Sequence, residues 1–215
     1  SARLTHSYFR REDWKFGQRE DWRYTKMAMD MPRSWWIVSF FAVGVAQQPM
    51  LIGLTLPSYT VHFVDAPLGW PDMLAAVCAA AGLLTAWVSD NQLRAFMLEN
   101  ERLASEGLPR MQLLQSGLWR YSRHPNYFGE QLFWWSFALF AAGLGQWYMA
   151  GGALFNSLVL ASVTVMTETK MLRNWSTERA ALYREYIHTT SPCVPLPRFP
   201  WTRRSNECGE PSSEK

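Results

Sequence analysis

Polar residues along this chain sit in blocks, and the intervals between the blocks are almost free of charge. Four such intervals stand out, from about Trp35 to Leu56, Met73 to Ser89, Tyr127 to Leu144 and Trp147 to Thr167. None contains Lys or Arg. Acids touch them only near one end, at Glu130 and just past the last at Glu168. A helix on the surface of a soluble domain shows a polar face every third or fourth residue, and these segments do not. Each is close to the roughly 20 apolar residues that a helix needs to cross a bilayer. A chain of 215 residues cannot bury four such helices on all sides. The pattern predicts an all-α integral membrane bundle of four transmembrane helices, with a polar cap on one side.

The distribution of positive charge sharpens this picture. Of the 21 Lys and Arg, eight precede Trp35, five lie between Ser89 and Tyr127, and eight follow Thr167. The connections Pro57–Asp72 and Gly145–Gln146 carry none. Four crossings put both termini and the middle loop on one side, together with every basic residue. The positive-inside rule makes that side cytoplasmic, or the matrix in an inner mitochondrial membrane. Trp35, Trp36, Trp70, Trp147 and Trp175 fall at segment ends, where interfacial aromatics belong. Small residues spaced by four, such as Ala75 and Ala79 or Ala138 and Ala142, suit close helix packing in lipid. The 48% hydrophobic content excludes disorder for most of the chain. Three Cys exclude a disulfide scaffold, and a net charge of +3 gives no reason to expect a nucleic-acid partner. No metal site is expected.

Three domains follow from the blocks: an aromatic, charged juxtamembrane arm over 1–34, a transmembrane domain over 35–187 and a Pro-rich tail over 188–215. In the arm, Arg11-Glu12-Asp13-Trp14-Lys15-Phe16 recurs as Arg19-Glu20-Asp21-Trp22-Arg23-Tyr24. So many acids argue against a transit peptide. The middle loop reads as a polar helix over Asp90–Ser105 that continues the second crossing and breaks at Gly107-Leu108-Pro109. An amphipathic helix is expected from Thr167 to about Ile187. Cys193 and Cys208 read equally as a pair or as free thiols, and Cys78 as a small apolar residue. Gln47-Gln48-Pro49, inside the first crossing, reads either as a kink satisfied locally or as the lining of a cavity.

One segment carries chemistry. Gly117 to Glu130 leads into the third crossing, and Arg123, His124 and Asn126 arrive at a helix N-terminus, where free N–H groups attract an anion. Pro125 suits the first turn. Asn126 and Glu130 are four apart and share a face. Glu130 lies about one turn into the membrane segment, where an ionisable group should look into the bundle. Asp90, Arg94, Glu168 and Arg173 reach the same rim from neighbouring helix ends. A phosphate-bearing ligand with a sugar or amide would suit that rim, and so would plain anchoring at the headgroups.

Arg123-His124-Pro125-Asn126-Tyr127-Phe128-Gly129-Glu130 resembles the signature of the steroid 5α-reductase superfamily, closest to its uncharacterised membrane-domain branch. Arg19-Glu20-Asp21-Trp22-Arg23, the Gln-containing first crossing ending at Pro57, Asp90, and the Tyr183-Arg184-Glu185-Tyr186…Pro195 ending are similar too. The likeness spans roughly residues 19–197. It implies an all-helical enzyme that uses NADPH to reduce a carbon–carbon double bond conjugated to a carbonyl, often in a sterol-like lipid. It matches Asn126 and Glu130 to cofactor-binding positions and Asp90 to another acid on the cofactor side; with Arg123, His124 and Tyr127 of the same segment, these are the residues expected to bind a cofactor.

The departures from that family shape the functional expectation. Family enzymes have more crossings than four, and the helix that bears the catalytic Tyr would precede Arg19. The acid that works with that Tyr has only Gln47 and Gln48 in its place, and Met97 stands where the reductases carry an Arg for the cofactor phosphates. Hydride transfer needs a nicotinamide and a proton donor. Tyr59 is a substitute donor, but lies towards the opposite face. The chain is therefore expected to be a non-catalytic accessory subunit of a larger membrane complex, surrounded by lipids and by other membrane subunits. The mitochondrial inner membrane is the expected location, with the endoplasmic reticulum as the alternative. An active NADPH-dependent lipid reductase is the second reading. A lipid or isoprenylcysteine-type methyltransferase is the third, because that family shares Arg-His-Pro-x-Tyr.

Overall fold

The structure, a computed structural model, describes residues 22–198 together with Thr5 and Phe9. Most of the arm repeat lies outside those residues, as do Cys208 and the end of the tail. The described residues form helices and no strand, with one isolated parallel bridge between Ser122 and Ser191. Helix α1 covers Trp22–Asp30, α2 Trp35–Ser39 and α3 Gln47–Phe63, the last two joined by a π-helical stretch over Phe40–Val45. Helix α4 covers Trp70–Ser105, α5 Pro125–Gly143, α6 Gly151–Asn174 and α7 Thr177–Thr189.

Three stretches are long and apolar enough to cross a membrane: Trp35–Phe63, Trp70–Ser105 and Trp147–Asn174. The segment expected as the third crossing forms α5, a helix of 19 residues, but Asn126, Glu130 and Gln131 interrupt its apolar run and it is not among the three. Its place in the bundle is nonetheless central, since α4, α3 and α6 all pack on it.

The interior is built from small residues and the outside from large ones. Along α4 the buried positions are Ala75, Gly82, Ala86 and Ser89, a single stripe. Val77 and Leu84 on the same helix are 63% and 61% exposed. In water the arrangement would be inverted, with large apolar side chains inside. In lipid there is no penalty for apolar exposure, and association rests on close backbone approach. The approach is close at two crossings. A Cβ on Gly129 would meet the Ala86 nitrogen at 2.5 Å, and one on Gly82 would meet the Gly129 oxygen at 2.7 Å. Gly53 of α3 meets Gly152 of α6 in the same way. The Ala pairs expected from sequence contribute through Ala75, Ala138 and Ala141, while the tightest contacts belong to glycines that the four-residue spacing did not mark. Trp36, Trp70 and Trp147 stand exposed at the ends of the three spans.

At Gln47-Gln48-Pro49 a polar side chain turns back on its own helix. The chain passes from α to π geometry before Pro49, and the Gln48 amide donates to the Gly44 carbonyl at 3.1 Å. The Gln48 side chain thus finds its partner within its own helix, one turn back. The α4 helix runs unbroken to Ser105 as expected, and Gly107 turns away with φ +71. Asn100 holds the following loop with both ends of its amide, accepting from the Met111 N–H at 2.7 Å and donating to its carbonyl at 3.2 Å. The helix expected from Thr167 to Ile187 is instead two. Trp175 is extended, and Ser176 caps a new helix by accepting from the Arg179 N–H at 3.4 Å. Ser at an N-cap favours such a restart.

Candidate functional site

The segment before α5 is docked on α4. Gly117 takes φ +61, which lets the backbone press on Gln92, and the Gln92 carbonyl oxygen accepts from the Leu118 N–H at 3.0 Å. The short 3₁₀ turn Gly117–Arg120 then places Trp119 so that its indole donates to the Ser89 carbonyl at 3.1 Å. From the other side the tail is stitched to the same segment. The Arg123 N–H donates to the Ser191 carbonyl at 2.9 Å and the Leu196 N–H to the Tyr121 carbonyl at 3.0 Å. The Ser122 hydroxyl donates to the Cys193 carbonyl at 2.6 Å. Tyr186 of α7 donates to the carbonyls of Trp119 and Ser122.

Beneath this lies a buried cluster of charge. Arg123 is 8% exposed and His124 6%. The Arg123 guanidinium grips Glu168 of α6 with two nitrogens, Nε to Oε1 at 2.8 Å and a terminal nitrogen to Oε2 at 3.1 Å. Its other terminal nitrogen donates to the Thr190 carbonyl at 2.6 Å and the Ile187 carbonyl at 3.1 Å. His124 Nε2 lies 3.0 Å from Glu168 Oε1. The imidazole stacks on Tyr127, with ring centres 5.0 Å apart and planes inclined by 12°. A planar guanidinium that finds a carboxylate and two carbonyls in fixed directions is held more firmly than a lysine could be. Burial raises the pKa of the Tyr183 phenol, and the nearby Glu168 carboxylate raises it further. Burial likewise raises those of Tyr186 and the Cys193 thiol. The tyrosines of this cap are therefore neutral donors at ordinary pH.

The six residues expected to bind a cofactor do not act alike. Arg123 and His124 are committed to Glu168 inside the protein. Asn126 and Glu130 are not so committed. The Asn126 side-chain oxygen is buried with no hydrogen-bond partner among the described residues, and both side chains are half-buried on α5. Tyr127 stands beside them with its ring fixed by His124. Asp90 lies on α4 next to Ser89, the residue that anchors Trp119, so the loop that carries the motif is fastened at its level. Tyr59 is 61% exposed near the far end of α3, one residue before Thr60, which hydrogen-bonds Gln146 in the α5–α6 connection. It is remote from the rim.

Glu168 was read from sequence only as one acid at the rim. Its role as the shared partner of Arg123 and His124 was missed, although two adjacent cations at a helix start call for one anion. The contributions of Tyr186 and Thr190 carried no signal, because a phenol or a carbonyl far along the chain has no spacing to betray it.

Residues 1–190 match a family described as "Protein of unknown function (DUF1295)". A protein of the yeast Schizosaccharomyces pombe, "Uncharacterized protein C594.04c", is 28% identical over 206 residues, covering 86% of this chain. The chain spans 57% of that relative's length. No solved structure matches.

Proposed function

The chain belongs to the DUF1295 family, the steroid 5α-reductase-like family, and from that premise we propose that it is the nucleotide-holding part of a membrane reductase. The observation that supports this reading best is the buried, unpartnered oxygen of Asn126. Native proteins rarely leave such an atom unmet, and water, an ion or a ligand supplies the partner; Gln131 Nε2, Asn156 Nδ2 and Arg179 Nε are buried in the same way, but Asn126 is the one that shares the start of α5 with a second acceptor, Glu130. An amide oxygen accepts, so it suits a ribose hydroxyl or a carboxamide N–H. Glu130, one turn further, offers a second acceptor.

The residues present fit a nicotinamide nucleotide in part. Asn126 and Glu130 would hold its hydroxyl or amide donors, and Tyr127 would offer a fixed aromatic face. NADPH would supply a hydride for an electron-poor double bond. Arg123 lies outside the ligand's reach in this reading, since four hydrogen bonds already occupy it, and its part is to hold the start of α5 in place.

Helix α5 serves here as the third of four crossings. Its 19 residues span about 28 Å at about 1.5 Å per residue, close to a hydrocarbon core of about 30 Å. Two of the polar positions that lower its hydropathy, Asn126 and Glu130, are those the site needs. The unmet acceptor at Asn126 supports a ligand-holding role, and the reductase reading is chosen on that ground.

The test is NADPH titration of the detergent-purified chain, followed by fluorescence, in wild type and in Asn126→Ala and Glu130→Ala. Micromolar affinity that falls at least tenfold in both variants supports the reading, a loss of about 1.4 kcal/mol. Equal affinity in all three, or no binding in the wild type, overturns it.

A further inference from the structure

Glu168 is the residue on which the rim converges, yet it lies on α6, 45 residues from Arg123 and 44 from His124. Its two oxygens meet three nitrogens from two consecutive residues, Arg123 and His124. Those residues immediately precede Pro125, which begins α5. His124 is the N-cap of α5, and its side chain caps nothing there. Its ring instead has one edge on Glu168 and one face on Tyr127. A fixed N-cap sets the rotation of the helix that follows, because each residue adds about 100°. Asn126 and Glu130 occupy the first two turns, where that rotation decides which way they look.

We propose that Glu168 is a positioning residue for the nucleotide site. This rests on the reading of Asn126 and Glu130 as nucleotide ligands. The carboxylate locks Arg123 and His124, His124 fixes the Tyr127 ring, and the helix start so held aims Asn126 and Glu130. Glu168 itself touches no ligand. An alternative in which the ion pair only fastens α6 to the cap makes a different prediction, because a fastening affects stability and leaves the affinity of the folded protein unchanged.

The experiment compares wild type, Glu168→Gln, Glu168→Asp and a control, Gly152→Ala, in detergent at a temperature where each remains folded. Gly152→Ala disturbs the close α3–α6 contact at Gly53, away from the rim. The expected result is a loss of NADPH affinity of tenfold or more in Glu168→Gln, partial recovery in Glu168→Asp, and wild-type affinity in the control. The ¹⁵N resonances of His124 should also shift in Glu168→Gln as the ring nitrogen loses its carboxylate. Wild-type NADPH affinity in folded Glu168→Gln would overturn the inference while leaving the nucleotide site standing. If Glu168→Gln fails to fold, Glu168→Asp decides: unchanged affinity with unchanged His124 resonances overturns the proposal, and a loss confined to affinity supports it. Failure of the wild type to bind NADPH would instead strike the reading beneath it.

Discussion

Arg123 and Asn126 stand three residues apart in one motif, and the protein treats them in opposite ways. Around Arg123 the polar groups are paired: the guanidinium, Glu168 and two carbonyls form one buried network. Asn126 and Glu130 take no part in that network, and the buried amide oxygen of Asn126 has no partner among the described residues. The first arrangement specifies a shape, and the second leaves an acceptor unmet. A motif that looks uniform as a string thus divides into a fastening and a site, and the division is made by a residue from a distant helix.

The difference can be broken most forcefully at the fastening. Glu168→Ala leaves a buried guanidinium without its anion, and removing one partner of a buried ion pair costs about 3–5 kcal/mol. Thermal unfolding in detergent should show the largest drop of any single change at the rim, and a drop under about 1 kcal/mol would mean the network is slack. Next comes Gly129→Val, which drives a side chain into the Ala86 backbone between the two ligand positions. Overpacking of this kind costs about 1–3 kcal/mol. It should spread α4 from α5, measurable as lost stability and as faster hydrogen exchange along both helices.

A smaller effect follows from the tyrosines of the cap. Burial raises the pKa of both Tyr183 and Tyr186 above the ordinary phenol value of about 10. The folded chain therefore keeps protons that the unfolded chain releases above about pH 10. Stability is complete below that pH and declines as pH rises beyond it. Tyr183→Phe should flatten the decline, as read by unfolding temperature between pH 8 and 11, and an unchanged slope would remove Tyr183 from the account. The smallest change in stability belongs to Asn126→Ala, within about 0.5 kcal/mol of wild type. Its side-chain oxygen has no bond to lose, so a large destabilisation would show that Asn126 is part of the fastening after all.

Much of the fold was legible because the bilayer imposes lengths. The apolar runs at Trp35, Met73 and Trp147 became helices long enough to span, and the break at Gly107 came from backbone chemistry that a glycine announces. The details that escaped are those set by neighbours. Helix α3 runs past Pro57 to Phe63, and the amphipathic stretch after Thr167 splits at Trp175, because Ser176 caps a second helix. The site was legible as a motif but not as a geometry. Asn126 and Glu130 follow from spacing on one helix. That Arg123 and His124 turn inward follows only from where α6 and α7 pack, which no local pattern records.

The most direct test of the central claim is NADPH affinity in Asn126→Ala beside its thermal stability. The account predicts affinity lowered at least tenfold with stability unchanged. Affinity equal to wild type would contradict it and leave the Asn126 oxygen without an explanation.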